Sequence, residues 1–289
     1  MRVGLFGLGL IGGSIARAVR ASAGEWWVGA WTPSGAGPRE ALAAGAIDAA
    51  FADAPGLLEQ VDLVVLAAPP LACLDLLGRL GGEWRLALRP GATVTDVAST
   101  KLALEQAAEG AGLPWVGGHP MAGRETSGFG AAEASLFHGR PWVITQAHGG
   151  GDSAAVRALA TACGAVPVDL DAAVHDHLVA AISHLPLLTS VALVEAVTGS
   201  PGGPAVDWAA ASTLAAGGWR DTTRLAHGDT TMGAEIAVTN AGPLAARLRT
   251  YRQALDAWIA LLETPGGPDA DAIRTRLDAA KTRLEYPGG

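Results

Sequence analysis

The chain has 289 residues, 49% of them hydrophobic and 17% charged, which leaves ample material for a core and too little charge for a disordered protein. Its net charge of −8 comes without a basic run, which argues against a nucleic-acid partner or an anionic membrane surface. The two cysteines, Cys73 and Cys163, stand far apart and outside any metal-ligand spacing; that excludes a disulfide framework, makes a zinc site improbable and fits a reducing cytoplasm.

In chain order, residues 2–6 read as a strand, 10–21 as a helix, 26–31 as a second strand and 38–44 as a short helix. A buried strand at 63–67 precedes Pro69-Pro70 and a helix at 71–80. Strand 93–97 leads into a helix from about 99 to 110, and short strands follow at 115–117 and 142–145. Asp152-Ser153 can cap a helix running to Cys163, before a last strand at 165–168. Continuous apolar strands alternating with helices predict a parallel sheet covered on both faces.

Past residue 170 only helices are expected: 172–197, 205–215, 230–240, 243–263 and 269–284. Breaks are expected at 199–204, Gly217-Gly218, Gly242-Pro243 and 264–268. The chain therefore divides into an α/β domain, 1–168, and an all-helical domain, 169–289. The uncharged run 178–194 contains Ser183, His184 and Pro186 and reads as a buried helix, not a membrane span. So apolar a helix needs cover on most sides, more than about 120 residues of helix supply alone, so a homodimer through the helical domain is expected.

Gly7-Leu8-Gly9-Leu10-Ile11-Gly12 is a GxGxxG loop between a strand and a helix. Gly7 allows the tight turn, Gly9 lets the backbone approach a pyrophosphate, and Gly12 lets helix and strand pack closely. The first helical residues, Leu10 and Ile11 among them, offer free N–H groups at the positive end of the helix dipole. The Ser14 hydroxyl is a further candidate donor. An Asp or Glu for the ribose is expected at the end of the second strand, but that strand runs out as Trp31-Thr32-Pro33-Ser34, with Arg39 just beyond. Without a carboxylate there, a 2′-phosphate meets no repulsion. Thr32, Ser34 and Arg39 then favour NADP over NAD, unless Arg39 is simply a solvated helix residue.

Asp96-Val97-Ala98-Ser99-Thr100-Lys101 follows one strand, and Gly118-His119-Pro120-Met121-Ala122-Gly123-Arg124-Glu125-Thr126-Ser127-Gly128 follows another, both at strand ends where open α/β sheets bind ligands. With these, the GLGLIGGS start, Leu136-Phe137, HDHLVAAISHLP at 175–186 and GGWRDTTRLA at 217–226, the chain resembles the prephenate/arogenate dehydrogenases of tyrosine biosynthesis over nearly its whole length. The resemblance implies a Rossmann-type dinucleotide-binding domain, an all-α dimerisation domain, NADP or NAD as cofactor, a small-molecule substrate and an active site between the domains. It implies that His119 is the catalytic base, that Ser99 orients it and the ligand, and that Arg224 binds a substrate carboxylate. Glu125, Asp221 and His184 are implied near the substrate, and His175 lies in a matching motif. From the residues alone, Asp221 and Arg224 could equally be a helical ion pair. Within one regular helix His177 and His184 share a face and His175 points away, so no metal site is expected. Leu187 stands where many prephenate-using members carry a second histidine, which leaves open prephenate, with a ketoacid side chain, or arogenate, with an amino-acid one. A non-catalytic dinucleotide-binding module is the alternative from another class, and it would need neither His119, Ser99 nor Arg224.

Overall fold

The computed structural model describes residues 1–124, 126–199 and 206–285. Its contacts divide into two compact units, Met1–Ala241 and Gly242–Gly289.

The first unit opens with β1 (Arg2–Phe6), α1 (Leu10–Ala21), β2 (Trp27–Trp31), α2 (Ala36–Ala43), β3 (Ala49–Ala50) and α3 (Ala54–Leu58). Then come β4 (Leu63–Leu66), α4 (Pro70–Gly81), β5 (Thr93–Asp96), α5 (Leu102–Gly110), β6 (Trp115–Pro120), β7 (Pro141–His148), α6 (Ser153–Ala162) and β8 (Val166–Asp169). The strands form one sheet in the order β3-β2-β1-β4-β5-β6-β7-β8. Period-2 alternation sends Val3, Leu5, Val28, Leu63 and Val65 to the face covered by α1 and α6. Phe6, Trp31, Val64, Leu66 and Val94 go to the opposite face, under α3, α4 and α5. Strand order reverses between β1 and β4, and the crevice at the carboxyl ends there is the ligand-binding position of such sheets.

The sheet departs from the sequence reading in three places. β3 and α3 were not expected; β3 is two residues long, too short to show a period, and α3 starts on an Asp53 cap whose carboxylate accepts from Gly56 N at 2.8 Å. β6 runs on to Pro120, so His119 stands on a strand. β7 pairs with β6 antiparallel and β8 with β7 parallel, so the sheet is not parallel throughout. A short strand's apolar pattern carries no information about direction.

The helical part of this unit holds α7 (Ala172–Val179), one π-helical turn (Ala180–His184), α8 (Leu185–Thr198), α9 (Trp208–Thr213), α10 (Gly217–Thr223), a 3₁₀ turn (Arg224–His227) and α11 (Thr230–Thr239). Thus 172–198 is not one regular helix. Pro186 lacks an N–H, and its ring crowds the carbonyl four residues back, at Ile182; the wider turn accommodates both. Gly217-Gly218 is no break either, since both residues lie in the first turn of α10. The predicted break at 199–204 lies outside the described residues except for Gly199, and residue 205 of the predicted helix 205–215 is also outside. The run 178–194 is less buried than expected: Leu178 is 46% and Ile182 69% exposed.

The second unit consists of α12 (Ala241–Leu262), nearly all of it, and α13 (Ala270–Glu285). Pro243 is tolerated in the first turn of α12, where its missing N–H would have no partner anyway, so Gly242-Pro243 is not a break. The Arg276 guanidinium lies 4.2 Å from the Trp258 ring centroid and donates to Ala254 O at 2.9 Å, joining the two helices.

Candidate active site

The glycine loop has the geometry that a dinucleotide requires. Gly7 has φ 118°, and a Cβ there would stand 2.1 Å from Ala67 O. A Cβ on Gly12 would meet Gly7 O at 2.2 Å, whereas one on Gly9 would face open space. The loop is therefore tight against the protein at its first and third glycines and open at the second, where a pyrophosphate would approach. Gly9 caps α1 without a side chain, so the first-turn N–H groups of Leu10, Ile11 and Gly12 face that opening unshielded. These residues fit the cofactor. Ser14 does not serve it as expected: its side chain is buried, and its hydroxyl accepts from Glu133 N at 3.0 Å, tying the segment between β6 and β7 to α1.

After β2, the Thr32 hydroxyl accepts from Gly35 N at 3.1 Å and the Ser34 hydroxyl from Ala36 N at 3.3 Å. Arg39 is exposed on α2 and donates back to Ser34 O at 3.4 Å. The Arg39 guanidinium thus folds back on the turn that carries the two hydroxyls, and residues 31–35 include no carboxylate.

His119 is half-buried on β6. Its Nδ1 lies 2.8 Å from Nε2 of His175, on α7. Nδ1 of His175 lies 2.8 Å from Oδ1 of Asp176, which also accepts from Lys101 N at 2.8 Å, while Oδ2 accepts from Leu102 N at 2.9 Å. Both Asp176 oxygens thus act as acceptors, and Nδ1 of His175 donates to the first. His175 then carries its proton on Nδ1 and offers the Nε2 lone pair to the Nδ1–H of His119. This leaves the Nε2 lone pair of His119 free, with no hydrogen-bond partner among the described residues. Burial, helped by the neighbouring His175, Lys101 and His184, holds the His119 pKa well below 6.5, so the ring is neutral at pH 7.

Beneath this chain, the buried Lys101 ammonium pairs with Asp96. The Asp96 carboxylate also accepts from Gly118 N at 3.0 Å and Ala98 N at 2.9 Å, locking the ends of β5 and β6 together. Asp176 has a second use. Lys101, the residue capping α5, supplies no side-chain cap, and the Asp176 carboxylate provides one from 75 positions away. Likewise Glu235 on α11 accepts from Leu71 N at 2.8 Å, capping α4, whose own cap residue, Pro69, cannot. The Thr100 and Thr239 hydroxyls meet at 2.9 Å beside it.

The structure brings together His119, His175, Asp176 and His184; His184 is buried, and burial lowers its pKa to about 4. It corrects the expected orientation of the helix histidines, since His175 faces inward with His184 and His177 is exposed. At about 100° per residue a regular helix would place His175 and His184 opposite each other; the extra residue of the π turn swings His184 back. Ser99 is half-buried on the loop after β5 and makes no hydrogen bond to His119, whose Nδ1 is taken by His175. Arg224 and Asp221 are exposed, Arg224 in the 3₁₀ turn packed on α8 and Asp221 on α10, and they form no ion pair with each other. Glu125 lies outside the described residues. Asp176 and Asn240 were missed as site residues. The Asp between two histidines in the 175–177 motif was the available signal for the first, and Asn240 carried none.

A glycine loop open to a pyrophosphate, and a neutral, backed imidazole at the carboxyl edge of the same sheet, define a dinucleotide-binding oxidoreductase. Residues 15–168 match the family model described as prephenate dehydrogenase, nucleotide-binding domain, and residues 171–276 match prephenate dehydrogenase, dimerization domain. The prephenate dehydrogenase of Lactococcus lactis subsp. cremoris is 31% identical over 261 residues, 87% of this chain and 68% of that one. Two solved structures are similar throughout. Arogenate dehydrogenase from Synechocystis has a TM-score of 0.78 and 31% identity over 98% of this chain and 100% of that one. Prephenate dehydrogenase from A. aeolicus, in complex with hydroxyphenyl propionate and NAD+, has a TM-score of 0.85 and 25% identity over 99% and 98%. The chain belongs to the prephenate dehydrogenase family.

Proposed function

We propose that this protein oxidatively decarboxylates prephenate to 4-hydroxyphenylpyruvate, in the cytoplasm, with a nicotinamide dinucleotide as oxidant. The observation that carries the reading is the Asp176–His175–His119 chain, which leaves the Nε2 lone pair of His119 free at the carboxyl edge of the sheet that carries the glycine loop. Nε2 of His119 takes the proton of the substrate's C4 hydroxyl. A dinucleotide held at the Gly7–Gly12 loop would supply the acceptor for the hydride that leaves C4. Loss of carbon dioxide leaves its bonding electrons in the ring, which becomes aromatic, and His119 returns its proton to the phenolate oxygen. Arg224 binds a substrate carboxylate through its planar fork, and Ser99, His184 and Asp221 line the substrate side. Residues 1–168 hold the cofactor and 169–289 the substrate side and the dimer contact.

Arg39, folded back on the Thr32–Ser34 turn without a competing carboxylate, supports NADP as the preferred cofactor. The second reading, arogenate as substrate, is favoured by Leu187, an apolar residue beside the buried His184, which removes one donor for a ketoacid side chain. One experiment tests all of this: absorbance of the reduced nicotinamide with prephenate and with arogenate, each with NAD and NADP. We expect the highest kcat/KM with prephenate and NADP. No turnover in any of the four combinations, with cofactor bound, would overturn the reaction.

A further inference from the structure

Asn240 follows α11, is 2% exposed and touches the site from behind. Its side-chain nitrogen lies 2.8 Å from the backbone oxygen of Asp176 and 3.1 Å from Nδ1 of His184. A carbonyl oxygen only accepts, so the atom facing it must be the NH2 of the amide and not its oxygen. This fixes the orientation of the amide on chemical grounds. That nitrogen carries two protons and no acceptor pair. One proton serves Asp176 O, and the other is directed at His184. Nδ1 of His184 must therefore hold a lone pair, and the neutral ring must carry its proton on Nε2.

We infer that Asn240 is a positioning residue that holds His184 as a neutral Nε2–H donor, so that the site presents substrate with one accepting and one donating imidazole. The inference rests on the proposed reaction for its functional half. His119 and His184 both have Nδ1 engaged from behind, but by partners of opposite sense: His119 donates to His175, and His184 accepts from Asn240. Nε2 of each ring is without a hydrogen-bond partner among the described residues, and the backing of both rings converges on Asp176, through His175 for one and Asn240 for the other. When His119 removes a hydroxyl proton, negative charge builds on the substrate oxygen until hydride has left. A preset donor is worth most at that moment. The donor also has to be neutral, because a second imidazolium would oppose protonation of His119. Asp176 links the two settings, since its carboxylate fixes the His175 tautomer and its backbone oxygen fixes the Asn240 amide.

The test is 15N NMR of the full-length protein labelled at histidine, at pH 7, with the His184 signals assigned by their loss in His184→Gln. We expect a pyridine-type Nδ1 and a pyrrole-type Nε2 for His184. In Asn240→Asp, an acceptor replaces the donor. Nδ1 should become protonated, kcat should fall about 10²-fold, and the Kd for the dinucleotide should stay within twofold. A wild-type His184 with a protonated Nδ1, or an unchanged tautomer in Asn240→Asp, overturns the inference. The wild-type spectrum decides alone if Asn240→Asp does not fold. The expected tautomer without turnover of either substrate overturns the proposed reaction and the service of His184 to it, while leaving the Asn240 contact standing; the two failures are thus distinguishable.

Discussion

That His119 would stand at the carboxyl edge of the sheet was legible from its glycine-flanked motif at a strand end. What backs His119 was not legible. Ser99 was expected to orient it, but Nδ1 of His119 meets His175, which no local signal pointed inward. His119→Asn should fold and bind dinucleotide normally while losing about 10²–10⁴ in kcat, as removal of a general base does. Asp176→Asn should lose about 10²-fold or more in kcat, because an amide cannot accept from Lys101 N, Leu102 N and His175 together and the His175 tautomer is no longer set. Differential scanning calorimetry should show it destabilised by about 1–3 kcal/mol. The pH dependence has a definite sign. His119 and His184 bind protons more weakly folded than unfolded, so their contribution to stability is complete above the unfolded value of 6.5 and is lost as pH falls toward about 4, the value for His184. The acid limb of kcat/KM should lie below pH 6.5 for the same reason.

Among the elements, those with a strong local signature were read closely from sequence: β1 and α1 were placed to the residue by the GxGxxG loop between them. Elements whose form depends on partners were not. The direction of β7 is set by β6, and the helix at 172–198 carries an irregularity that Pro186 signals but whose consequence, the rotation of His184, needs three dimensions to see. Deleting one residue of the π turn, such as Ala181, should restore regular geometry and turn everything after it by about 100°. The His184–Asn240 contact would then break, with loss of turnover but retention of dinucleotide binding, checked by fluorescence titration. Gly9→Ala tests the loop itself. The site has room for the methyl group, so folding should be unaffected, but the added Cβ stands where the pyrophosphate approaches, and the Kd for the dinucleotide should rise at least tenfold.

At the scale of the whole molecule, the helix expected to be buried is instead widely uncovered. Residues 172–198 are long and apolar enough to cross a membrane by length and composition, with 22% of the most apolar window buried. Yet this helix holds buried His175, Asp176 and His184 against the sheet's loops, so its inward side is polar and engaged. We propose that a second copy covers the rest. Sedimentation at micromolar concentration should then give a dimer, and the urea midpoint should rise with protein concentration; a monomer with a concentration-independent midpoint would contradict this.

The caps on α4 and α5 bear on how the protein is made. The first follows β4, which flanks the dinucleotide crevice, and the second follows the neighbouring strand β5; neither is capped by its own cap residue. Their caps, Glu235 and Asp176, lie 164 and 75 positions further along the chain. On the ribosome the nucleotide-binding half emerges first, with the start of α5 and the loop bearing Ser99 still lacking the carboxylate that satisfies their N–H groups. The sheet can assemble as the chain appears, but the start of α5 waits for the helices. Full activity therefore arrives last in synthesis, and a nascent chain halted before residue 176 should show fast amide exchange at Lys101 and Leu102 even where its strands are already protected.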